Sequence, residues 1–158
     1  MEDLWSLKAS EISKLYLSNE ISLDEIINSV EERFNQVNPK INAIPESTFE
    51  YARKQAILLD DNKKNDKPLG CLAGVPVTVK INTDQTGFAS TNGLRLNKSL
   101  IAHKNSTVVD NLEKAGALII GRTNTPAFSI RWFTNNSLHG HTFNPHNKNI
   151  TPGGSSGG

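Results

Sequence analysis

The chain has 158 residues, with 17 basic and 16 acidic side chains for a net charge of +1, 36% hydrophobic residues and 11 glycines. That length supports one globular domain with a real core, and the even charge excludes the basic footprint that nucleic acid or an anionic membrane would attract. A single cysteine, Cys71, excludes an internal disulfide, and no apolar run approaches the ~20 residues of a membrane span.

The N-terminus, MEDLWSLKASE, is acidic and amphipathic, without the basic and then apolar pattern of a secretory leader. Together with the lone cysteine this indicates a cytoplasmic protein. Cys71 itself reads as a small buried apolar side chain rather than a reactive thiol.

Residues 1–68 form a helical region of the same domain as the rest. Ser6 is expected to cap a short helix carrying Ile12, Leu15 and Tyr16. Ser22-Leu-Asp-Glu25 is a capping box, followed at helical spacing by Ile26, Ile27, Val30, Phe34 and Val37. Asn38-Pro39 should end that helix, because the residue before proline avoids the helical region. Ser47-x-x-Glu50 repeats the box ahead of Phe49, Ala52, Ala56 and Leu59. A dry core accounts for all three stripes. Residues 60–68, with Asp60, Asp61, Lys63 and Lys64, read as a solvated loop.

From residue 69 the texture changes. Val75-Pro-Val-Thr-Val79 predicts a strand, Ser106 a helix cap for 107–115 with Gly116 as its stop, and Ala117–Ile120 an apolar strand ended by Gly121. Strand, helix, strand indicates a crossover unit in an α/β sheet. Beyond Gly121 the Asn, Thr, Pro, Gly and Ser content is that of loops, where chemistry usually sits.

Three features there are weak singly. Lys80 closes the strand, on the face opposite Val75, Val77 and Val79, at the end where α/β sheets keep their ligand crevice; surface lysines also sit at such ends. Gly121-Arg-Thr-Asn-Thr-Pro126 is a turn after a buried strand. Asn144-Pro145 and Thr151-Pro-Gly-Gly-Ser-Ser-Gly-Gly158 could be a flexible linker.

In sequence order they are specific. Gly70-x-x-x-Gly74-Val-Pro-Val-x-Val-Lys80, then Ala115-Gly-Ala-x-Ile-Ile-Gly-Arg-Thr-Asn-Thr-Pro126, then the Asn-Pro and Thr-Pro-Gly-Gly-Ser-Ser-Gly-Gly blocks resemble the amidase-signature hydrolases. The resemblance covers residues 70–158 and implies the first, incomplete part (69–158) of an α/β/α sandwich, preceded by a helical arm. It implies amide hydrolysis by a Ser–Ser–Lys triad without metal or cofactor. Lys80 would be the base, Ser155 the bridging residue in a cis peptide after Gly154, and Ser129 a substrate contact. The attacking serine would lie in a further Gly-Gly-Ser block that these 158 residues do not contain.

Such a triad needs a lysine that can be neutral, and burial beneath a valine-rich strand shifts it that way because desolvation disfavours the cation. Ile81 departs from the family, in which many members carry an acid directly after the lysine; Asn82 and Asp84 follow it here.

The resemblance implies a small-molecule amide as substrate, with carboxylate and ammonia or an amine as products, and leaves room for a homodimer of the full-length protein. Two alternatives stay open: the amidase subunit of a tRNA-dependent amidotransferase, and a non-catalytic truncated polypeptide. The amidotransferase component usually carries Thr-Asn-x-Asp-Glu-Phe where this chain has Thr-Asn-Thr-Pro-Ala-Phe128, which favours the free-standing hydrolase. His139, His141 and His146 match a metal-ligand spacing only loosely.

Overall fold

A computed structural model describes residues 3–158. After a short turn at Leu4–Ser6, the main elements are α1 (Ala9–Leu17), α2 (Leu23–Ile41), β1 (Glu46–Ser47), α3 (Phe49–Lys64), β2 (Pro76–Lys80), α4 (Thr107–Lys114), β3 (Leu118–Thr123), β4 (Asn135–Asn136) and β5 (Gly140–His141). The architecture is mixed α/β. β1, β3 and β2 lie in that order in one sheet, with β1 antiparallel to β3, and β4 pairs with β5 in a hairpin. Leu118 N–H donates to Val75 O (2.9 Å) and Ile81 N–H to Thr123 O (3.0 Å). The partners advance together along β2 and β3, the sense of a parallel pair joined by α4. No helix among the described residues is long and apolar enough to cross a membrane.

The chain forms two compact units, and the division falls within α2, β2, α4 and β3. The first comprises the stretch ending at Gln36, Thr48–Val77 and Asp110–Ile120. Its core is apolar: Ile12, Tyr16, Ile26, Ile27, Ala52 and Ala56 are buried with Leu118 and Ile120. The predicted stripe of α3, Phe49, Ala52, Ala56 and Leu59, is buried throughout. The Ser22–Glu25 capping box also forms. Ser22 N–H donates to Glu25 Oε2 (2.8 Å) and Glu25 N–H to Ser22 Oγ (3.2 Å), and the bonds that Ser22 gives to the ionised carboxylate hold Glu25 below the usual range.

Several local expectations in this unit are corrected. Ser6 does not cap α1: its hydroxyl donates back to Asp3 O (2.8 Å), and Lys8 is the N-cap, with its N–H on Glu11 Oε2 (2.8 Å). Ser47 does not open α3 either. Thr48 is the N-cap, but its hydroxyl donates to Ile119 O (2.7 Å) and accepts no helix N–H. Residues 60–64 are the last turn of α3, not loop. Tyr16 donates to Asp60 Oδ1 (3.0 Å), and the Lys63 ammonium bonds Tyr16 O and sits 4.0 Å from the centre of its ring, so tertiary contacts extend a helix that composition alone would end. Cys71 is exposed, not buried.

The second unit holds Val37–Ser47, Thr78–Val109 and Gly121–Gly158. Its interior is largely polar: Gln85, Thr91, Arg122, Asn124, Thr125, Thr134 and Thr142 are all at most 1% exposed, beside apolar Val79 and Ile81. Here α2 continues through Pro39 to Ile41. Proline is tolerated because it falls in the final turn, where the Asn38 side chain bonds both Ile44 N–H and Ile44 O (2.9 Å each), and Asn42, at φ 51°, ends the helix. β3 does not end at Gly121 but runs to Thr123. A Cβ at 121 would stand 2.5 Å from Ile44 Cγ2, so glycine admits the neighbouring chain rather than breaking the strand.

Candidate active site

β2 delivers Lys80 as its last residue. Val75 and Val79 are buried and Thr78 is exposed, as alternation requires, and Lys80 is partly buried. The Gly/Ser block returns 75 residues later. Lys80 Nζ donates to Ser155 Oγ at 2.9 Å and to Ser156 Oγ at 3.2 Å. The peptide between Gly154 and Ser155 is cis. Among the described residues no carboxylate pairs with Lys80, and desolvation lowers its pKa from the ordinary lysine value.

The 151–158 loop is tied down rather than free. Thr134 Oγ1 donates to Gly153 O (3.1 Å) and Thr125 Oγ1 to Ser155 O (3.3 Å). At Gly154 the backbone of 131–133 approaches so closely that a Cβ would stand 2.7 Å from Arg131 O and Phe133 N. These contacts hold Ser155 in one place relative to Lys80.

Ser129 joins the same network. Its hydroxyl donates to Asn92 Oδ1 (3.0 Å), receives Asn82 Nδ2 (3.2 Å) and lies 2.8 Å from Thr125 Oγ1, one side chain removed from Ser155. Phe128 and Ser129 both have φ of 58°, a region that costs L-residues about 1–2 kcal/mol each. Phe128 N–H on Asn92 O (3.1 Å) helps to offset that cost. Strain of this kind, when observed, accompanies sites more often than plain loops.

Asn82, Asn92, Thr125 and Arg122 carry no motif of their own that marks them for a role at the site. Thr125 and Arg122 stand inside the recognised blocks and Asn82 two residues past Lys80, so the available signal was proximity in sequence to Lys80 and Pro126. Asn92 carried none. The histidines are dispersed in role. His139 offers its carbonyl to Asn42 Nδ2 (2.7 Å), His141 packs edge-on against Phe143, and His146 N–H caps Asn144 Oδ1 (2.9 Å). Among the described residues no group of three His, Cys, Asp or Glu side chains is placed to hold a metal. Desolvation holds His139 below the usual imidazole range.

Residues 25–158 match the family model of the amidases. The chain is similar to indoleacetamide hydrolase of Bradyrhizobium diazoefficiens, at 43% identity over 98% of this chain and 30% of that protein. It is also similar to a glutamyl-tRNA(Gln) amidotransferase component of Fusobacterium nucleatum, at 39% identity over 99% of this chain and 32% of the other. Among solved structures, a bacterial aryl acylamidase of the amidase-signature family superposes with a TM-score of 0.90 at 33% identity, covering 96% of this chain and 32% of that one. The chain thus spans about a third of the length of the relatives it matches.

Proposed function

From the premise that this chain belongs to the amidase-signature family, we propose that it supplies the base and the bridging serine of an amide-hydrolysing site, with Lys80 and Ser155 in those roles and Ser129 at the substrate. The observation that carries this reading is the 2.9 Å contact between Lys80 Nζ and Ser155 Oγ. Residues 69–158 are the first part of the catalytic core on this reading, and 1–68 a helical part of the same domain.

The chemistry follows from the groups. A protonated Lys80 only donates; a neutral one has a lone pair. Desolvation moves the group toward the neutral form. Ser155 then passes its proton to Lys80 Nζ as it takes one from an attacking serine hydroxyl, which the resemblance assigns to a block outside these 158 residues. The new ester C–O bond forms, the C–N bond breaks, and the stored proton leaves on the ammonia or amine. Water repeats the cycle against the ester and releases the carboxylate. A small-molecule carboxamide fits this sequence of steps, and a reducing cytoplasm suits a chain whose one thiol, Cys71, is exposed and unpaired.

Similarity to an amidotransferase component supports a second reading, in which the ammonia passes to a partner. Thr123-Asn-Thr-Pro-Ala-Phe128 departs from the block usual in that component and favours the hydrolase. The test is ammonia release from a panel of carboxamides by the protein that carries this chain, with and without Lys80→Ala. Equal release by both proteins rules the reading out, and release that needs a co-purifying partner moves it to the second.

A further inference from the structure

Arg122 is fully buried, and its guanidinium directs its donors chiefly at one stretch of chain. Nε donates to Glu46 Oε2 at 2.9 Å. Nη1 reaches Thr83 O (3.3 Å) and Gln85 Oε1 (3.2 Å), and Nη2 reaches Ile81 O (3.3 Å) and Ala89 O (2.9 Å). Four of these five acceptors lie within nine residues after Lys80. Thr83 N–H closes the turn on Lys80 O (2.8 Å), and Ile81 N–H is held by Thr123 O, next to Arg122. Gln85 turns its carbonyl to Arg122 although its own Nε2, buried, then has no partner among the described residues.

We infer that Arg122 is a positioning residue for Lys80: its planar fork gathers the carbonyls of Ile81, Thr83 and Ala89 and thereby sets where the end of β2 presents its ammonium to Ser155. The inference rests on Lys80 being the base of the proposed site. Carbonyls wholly or partly withdrawn from water in irregular backbone need donors, and only a guanidinium offers five in a fixed geometry; a lysine is a point charge that cannot span them. The charges facing Arg122 are Glu46 on β1 and Asp84 in the turn, with His139 of the hairpin region also within its field. Base and relay must hold sub-ångström registry, and a misplacement of about 1 Å can cost a hundredfold in rate.

Arg122→Lys, Arg122→Met and Glu46→Gln in the protein that carries this chain provide the test. Two readouts are taken: kcat and KM on a carboxamide, and the titration of Lys80 followed by NMR with 13Cε-labelled lysine, assigned through Lys80→Arg. Arg122→Lys is expected to stay folded, to lose tenfold or more in kcat with KM within twofold, and to move the Lys80 midpoint upward as Nζ gains solvent. Glu46→Gln keeps the carbonyl contacts, so kcat should hold within threefold and Lys80 should titrate as in the wild type. Wild-type kcat and Lys80 titration in folded Arg122→Lys overturn the proposal. A Glu46→Gln loss as large as that of Arg122→Lys does so too, since the ion pair rather than the clamp would then matter. If Arg122→Met unfolds, Arg122→Lys and Glu46→Gln still decide. If the wild type releases no ammonia, the hydrolase reading fails, while the Lys80 titration continues to test the clamp.

Discussion

Lys80 and Ser155, 75 residues apart in sequence, meet at 2.9 Å between Nζ and Oγ. If the lysine takes protons there, Lys80→Ala in the protein that carries this chain should lower the initial rate on a good amide by about 10²–10⁴-fold. Lys80→Arg should fail nearly as badly, because a guanidinium stays charged at any working pH and cannot accept. Ser156 Oγ also touches Nζ, at 3.2 Å, but that is one hydrogen bond, and Ser156→Ala should cost about 1 kcal/mol. An arginine variant that keeps most of the wild-type rate means that the lysine holds charge instead.

Burial sets the sign of the pH dependence. Desolvation lowers the Lys80 pKa, so the cation, which cannot accept, gives way to the amine at a lower pH than for a free lysine. If Lys80 is the base, the rate of the protein that carries this chain on an amide should rise with pH through a limb that lies below the ordinary lysine range. The kcat/KM profile of Lys80→Ala should lack that limb; a limb that persists belongs to another group.

Gly154 has no room for a side chain: its added Cβ would meet Arg131 O, Trp132 C and Phe133 N at 2.7–2.8 Å. These are backbone atoms and cannot rotate away. Gly154→Ala should therefore displace the loop that carries Ser155, with a stability loss of about 1–3 kcal/mol and a larger loss of activity. Urea unfolding and initial rates on the same variant measure both, and a neutral effect on each would mean that the loop yields freely.

The two arginine–glutamate pairs should differ sharply. Glu46→Gln leaves the fully buried Arg122 cation without its carboxylate, and about 3 kcal/mol of stability should go. Glu31→Gln beside Arg53, where both side chains are about a third exposed, should cost less than about 1 kcal/mol. Paired urea titrations compare them directly; equal losses would show that burial is not what separates the pairs.

Apolar periodicity made the first unit largely legible. The stripes at Ile26, Ile27, Phe49, Ala52, Ala56 and Leu59 are its core, because a helix buries one face and the side chains that suit that face are the ones the spacing exposes. The errors there lie at element ends. Ser47 and residues 60–64 were decided by Ile119 O and by Tyr16, partners that local pattern does not contain, while Ser6 lost the cap to Lys8, whose N–H Glu11 takes three residues on. In the second unit the strand that ends at Lys80 and the Gly/Ser block could be read as ordered motifs, and a family resemblance joined them. The distance between their side chains could not. The interior there is built from Arg122, Asn124, Gln85, Thr125 and Thr134, residues that sequence statistics assign to the surface. Arg122, Asn124, Thr125 and Thr134 are each held by a specific carbonyl, hydroxyl or carboxylate elsewhere, and Gln85 by the Arg122 guanidinium, and such pairings have no period along the chain. That is why Lys80 and Ser155 were visible in the sequence, while the clamp of Arg122 on the turn after Lys80 and the tie of Thr125 to Ser155 exist only once the chain has folded.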